Sequence, residues 1–148
     1  MAYRHIVVGT DGSETAAGAV RHAGALASAL GAKLTVVTAY DRDPATARAA
    51  ADAPDEVRWR VNDAAAATER ADEGRRVARE AGATQVDVYV EAGDPAQVVI
   101  DAVELRGADV IVVGSKGMTG AARFLVGSVP NKISHHAPCD VIIVHTAP

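Results

Sequence analysis

DVIVVGSKGMTGAARFLVGS, residues 109–128, carries two signals back to back. Its first part, DVIVVG (109–114), is a short β-branched run without polar alternation, which predicts a strand buried on both faces. Its second part, residues 114–128, holds four glycines, a lysine and two serines before the next apolar segment. A plain strand exit needs one glycine or two. Here Gly114-x2-Gly117 is followed, nine residues further on, by Gly127-Ser128. Missing side chains let successive N–H groups turn towards an anion, and a helix N-terminus after Gly127-Ser128 adds further donors. The spacing predicts two sides of one anion cradle, with MTGAARFLV carrying the chain out and back.

The same strand-then-turn pattern recurs outward from there. HIVVGT (5–10) reads as a buried strand closed by Asp11-Gly12-Ser13. Ala16, Val20, Ala23, Ala27 and Leu30 follow at helical spacing, with Ser13 as the N-cap and Gly31 as the left-handed end. KLTVVTAY (33–40) is the second strand. Residues 41–58 hold Pro44, Pro54 and many charges, which predicts a long loop with room for a short helix over 45–53 and with Trp59 as its anchor. A helix is expected over 61–81, ending at Gly82. QVDVYVE (85–91) alternates, with Val86, Val88 and Val90 on one side and Asp87, Tyr89 and Glu91 exposed on the other, as in an edge strand. Asp94 and Pro95 suit a helix start, and Val98, Val99, Ala102 and Val103 form its inner face. A short helix over 129–136 and a strand DVIIVH (140–145) complete the chain.

Strand and helix alternate, so the fold class is α/β: a three-layer, doubly wound, five-stranded parallel sheet in a single domain, 1–148. Strands 1 and 4 read as central and strand 3 as an edge, which predicts the order 3-2-1-4-5. Ligands bind such sheets at the carboxyl ends of strands, where the winding reverses. That point lies between strands 1 and 4, so Thr10 and Asp11 face Gly114 and Lys116 across one crevice.

The Gly114-x2-Gly117-x9-Gly127-Ser128 pattern resembles the nucleotide-binding signature of the universal stress protein family. Asp11-Gly12-Ser13, Gly93-Asp94-Pro95 and HAPCDVIIV (136–144) are similar to that family as well. The resemblance spans essentially the whole chain. It implies the universal stress protein fold and an adenine nucleotide: ATP, or AMP or cyclic AMP as alternatives, with Mg²⁺ entering through the phosphates. It also implies Asp11 near the nucleoside, Ala39 against the adenine, and Gly114, Gly117, Gly127 and Ser128 on phosphate. Thr10, Lys116 and Val129 complete the candidate set. No GxxxxGK[ST] and no GxGxxG follows strand 1, so neither a P-loop nor a dinucleotide fingerprint is supported.

Composition narrows the function further. A net charge of −4 argues against a nucleic-acid or anionic-membrane surface, and 3% aromatics against base-stacking platforms. Cys139 is the single cysteine, read as a small core filler, and it excludes an intrachain disulfide framework. No apolar stretch is long enough to span a bilayer and no signal peptide is visible, so a cytoplasmic protein is expected. His135-His136 lack a supporting carboxylate or thiol cluster and read as a helix C-terminal pair rather than metal ligands. No catalytic set stands out. The expected role is a non-enzymatic sensor or regulator, with a slow ATP hydrolase or a ligand-free interaction module as the alternatives. Val141 to Val144 show no polar alternation on a strand expected at the sheet edge, which predicts a homodimer through 140–145.

Overall fold

The chain's first turn into structure is β1 (His5–Gly9), whose Ile6, Val7 and Val8 are fully buried. The computed structural model describes residues 3–41, 63–115 and 128–145. After β1 come α1 (Glu14–Leu30), β2 (Lys33–Tyr40), α2 (Ala64–Glu80), β3 (Val86–Ala92) and α3 (Pro95–Arg106). β4 (Val110–Gly114), α4 (Ser128–His136) and β5 (Asp140–Val144) follow. The described strands form one parallel sheet in the order β3-β2-β1-β4-β5, as the sequence predicts.

Alternation along each central strand feeds two cores. Ile6, Val8, Leu34, Val36, Val110 and Val112 face α1 and α2. Val7, Val37, Ile111 and Val113 face α3 and α4, against Val98, Val99, Val103 and Ile133. Helices on both faces leave the interiors of β1 and β4 with nowhere to expose side chains, which is why Ile6–Val8 and Val110–Val113 run apolar without interruption, while β2 buries Thr35 and Thr38 among its apolar residues.

Small residues set how closely the layers approach. A Cβ on Gly74 of α2 would lie 2.8 Å from Val36 Cγ1, and one on Gly24 of α1 only 2.7 Å from the Ala78 carbonyl oxygen. Both helices therefore sit nearer to their neighbours than any side chain would permit. Ser13 caps α1 by accepting from Ala16 N at 3.1 Å, and Gly31 closes it in the left-handed region at φ 64°.

Two expectations change, and a third is refined. Leu30 shares the helical spacing of the α1 stripe but is 37% exposed, because it lies in the last turn, where β2 is only beginning. Tyr89 and Glu91 are half-buried rather than exposed, since α3 covers that face of β3 and Tyr89 packs into the second core. Cys139 packs against the second core, as expected, but from its margin and only half-buried, and burial raises its thiol pKa. The expected helix over 61–81 is observed as Ala64–Glu80, with Asp63 accepting from Ala66 N at 2.7 Å. The proposed 45–53 helix and Trp59 fall outside the described residues.

Candidate functional site

The carboxyl ends of β1, β2 and β4 open into a cleft of about 470 Å³. Its floor comes from β1. Thr10 N donates to the Val37 carbonyl at 2.9 Å, and the buried Thr38 hydroxyl donates to the Thr10 carbonyl at 3.0 Å. These two bonds pin the exit of β1 to β2. The turn is then built locally: Gly12 N donates to Thr10 Oγ1 at 3.1 Å and Ser13 N to Asp11 Oδ1 at 2.9 Å. Gly12 holds φ 85°, a conformation that suits glycine. Asp11 thus serves the turn with one oxygen while lining the cleft.

The wall beyond β2 is the β3–α3 turn. Gly93 N donates to the Tyr40 carbonyl at 2.9 Å. Asp94 caps α3, accepting from Gln97 N at 3.1 Å, and accepts from Lys132 Nζ at 3.0 Å. Burial pushes the Asp94 carboxyl up, but the Lys132 ammonium and the Gln97 N–H outweigh it and hold it below its ordinary value. The Lys132 charge is therefore already engaged.

The opposite wall is β4 and α4. Gly114 ends β4, and Ser128 and Val129 open α4 onto the cleft. The starts of α1 and α3 are capped by Ser13 and Asp94. No side chain among the described residues caps α4. Of the four helix starts at this end of the sheet, those of α1, α2 and α3 are capped by Ser13, Asp63 and Asp94, while the residue before α4 lies outside the described residues and Ser128 and Val129 bring the partial positive charge of the α4 start to the cleft.

Thr10, Asp11, Ala39, Gly114, Ser128 and Val129 thus line one hollow, although they come from four separate stretches of the chain. Lys116, Gly117 and Gly127 lie outside the described residues. Sequence reasoning missed Asp41, which lines the cleft one residue beyond β2, and treated Asp94 as a cap without its Lys132 partner. Position offers a signal for Asp41: it is the first charged residue past a buried strand end that points into a switch-point crevice. No sequence pattern announces Lys132. His135 and His136 occupy the last turn of α4, their rings 6.5 Å apart, and no group of three or more metal-binding side chains occurs among the described residues. No helix among them is long and apolar enough to cross a membrane.

Comparison with known proteins agrees with this architecture. Residues 2–145 match the model of the universal stress protein family. This chain belongs to that family. Universal stress protein Rv1636 of Mycobacterium tuberculosis strain H37Rv is 38% identical over 145 residues, covering 98% of each chain. A crystal structure of a universal stress protein in complex with cAMP matches with a TM-score of 0.73 at 34% identity, covering 99% of both chains. Universal stress protein UspA from Lactobacillus plantarum matches with a TM-score of 0.75 at 25% identity, over 97% of this chain and 99% of its own.

Proposed function

We propose that this universal stress protein binds an adenine nucleotide in the switch-point cleft and acts as a non-enzymatic, cytoplasmic sensor in a stress response. The observation that carries the reading is the asymmetry of the cleft. One side, Gly114, Ser128 and Val129, lies at the end of β4 and the start of α4, where main-chain donors gather; the other, Val37 and Ala39, offers an apolar slot for a base. A cyclic-AMP complex in a relative of 34% identity supports the same assignment.

Charge favours a lightly charged ligand. The described lining includes the carboxylates of Asp11, Asp41 and Asp94 and no lysine or arginine. ATP brings a densely charged triphosphate into that field, while cyclic AMP brings one phosphodiester charge that amide donors can hold. Cyclic AMP or AMP therefore fits better than ATP, and any Mg²⁺ would arrive with the phosphates. Lys116, Gly117 and Gly127 are proposed as further phosphate contacts.

A calorimetric competition among ATP, AMP and cyclic AMP tests this, with Gly117→Val as the control. Cyclic AMP is expected to bind most tightly, and the valine to abolish binding while leaving the melting temperature unchanged. A flat titration with all three ligands would overturn the reading in favour of an interaction module.

The homodimer is part of the same proposal. β5 ends the described sheet, and its Ile143 is 39% exposed. An open apolar edge of this kind is covered most simply by β5 of a second copy. Ile143→Lys should shift sedimentation at micromolar concentration from dimer to monomer; a wild-type protein that sediments as a monomer refutes the pairing.

A further inference from the structure

Asp94 and Lys132 form an ion pair unlike the others among the described residues. The pairs of Arg75 and Arg76 stay within α2, and Arg106 approaches Asp87 only to 3.8 Å. Asp94–Lys132 instead joins the start of α3 to α4 at 3.0 Å, at the wall of the cleft that Asp94 lines. The two side chains are 51% and 49% exposed, so both stay open to a molecule entering from solvent.

The place of Lys132 along α4 gives the pair its consequence. Ser128, at the start of α4, and Lys132 are four residues apart, so they share a helix face with Cβ atoms about 5–6 Å apart. An anion held at the α4 start therefore lies within the sweep of the flexible Lys132 stem. Asp94 engages that ammonium, and its own carboxylate joins those of Asp11 and Asp41 in the lining. A phosphodiester with one charge loses little by this arrangement. A triphosphate would gain most from a free ammonium and is repelled most by the carboxylate that holds it.

We infer that Asp94 is a specificity-determining residue: by engaging Lys132 it withholds that charge from the phosphate end of the cleft, and so sets a preference for singly charged over multiply charged nucleotides. The inference rests on the nucleotide reading of the cleft. A half-exposed pair is weakly held, so the effect is a several-fold selectivity and not an all-or-none switch.

The test measures ATP and cyclic-AMP affinities in magnesium-free buffer, at low and high salt, for wild type, Asp94→Asn, Lys132→Gln and the double variant. Asparagine also caps helices well, so Asp94→Asn should melt within a few degrees of wild type. It should tighten ATP relative to cyclic AMP by about fivefold, with the gain fading at high salt. Lys132→Gln should weaken ATP more than cyclic AMP. It should also cost ATP more in the Asp94→Asn background than in wild type, because there the lysine is free to reach the phosphates. Equal shifts for both nucleotides, a gain indifferent to salt, or equal costs of Lys132→Gln in the two backgrounds overturn this inference alone. If Asp94→Asn melts well below wild type, Lys132→Gln alone decides: a loss no larger for ATP than for cyclic AMP overturns the inference, and a larger one supports it. A wild type that binds neither nucleotide overturns the nucleotide reading and this inference with it.

Discussion

At the amino end of the sheet, Asp109 accepts from Arg4 N at 3.0 Å and His5 N at 3.2 Å. There too His5 Nε2 lies 2.7 Å from Thr35 Oγ1, and Tyr3 donates to Asp140 at 3.0 Å. At the carboxyl end the account does not close: Asp41 Oδ2 has no partner and α4 starts without a cap among the described residues. The same chain, on the same five strands, pairs the polar groups named at one end, while at the other one buried carboxylate oxygen has no partner among the described residues. Paired polar groups at the amino end tie strand starts together and have no capacity left for a ligand. The main-chain donors gathered at the start of α4 are what the carboxyl end leaves for a bound molecule to meet.

If that contrast is right, changes at the two ends should fall on different observables. The largest effect is expected from Ala39→Trp, which fills the slot at the end of β2. It should weaken cyclic-AMP binding by about a hundredfold or more while the melting temperature stays within a few degrees, because the indole enters a cleft and not the core. Loss of folding instead would move Ala39 into the core and blur the division. Asp109→Ala should do the reverse. Two backbone N–H groups lose their acceptor, at a cost of about 1–2 kcal/mol, seen as a lower denaturant midpoint with unchanged ligand affinity in the folded protein. A ligand-affinity change without a stability change would contradict the contrast.

The smallest effect concerns pH. Burial first, then the charges of Lys33 and Arg106, hold the His5 imidazole below its ordinary value. The unfolded chain therefore binds the proton more readily than the folded one, and protonation favours unfolding. The His5 contribution should be fully present above the ordinary imidazole value of roughly 6.5 and be lost as pH falls through the lowered folded value. Unfolding midpoints of wild type and His5→Gln, compared across that range, should show a shallower acid loss in the variant. Identical pH profiles would remove His5 from the account.

Much of the fold was legible because its causes are local. DVIVVG and HIVVGT carry no polar alternation because helices cover both faces of β1 and β4. Ser13, Gly31 and Asp94 announce helix ends through chemistry that acts within three or four residues. The reading failed where burial depends on what lies opposite. Leu30 has the right spacing but no strand beneath it, and Tyr89 has an outward place in the alternation but lies under α3.

The candidate site divides in the same way. Thr10, Asp11, Gly114, Ser128 and Val129 could be named in advance, since a strand end followed by a glycine turn or a helix start is written along the chain, whereas Ala39 is named only through the resemblance to the family. Order, class and the switch point likewise follow from periodicity, which encodes how many faces each strand buries. That Lys132 is engaged by Asp94, 38 residues away, and that Oδ2 of the half-buried Asp41 is shut off from water with no donor among the described residues, are written nowhere along it. Those facts arise from distances between segments remote in sequence. A hydrogen bond depends on tenths of an ångström that only the packed helices and sheet can set.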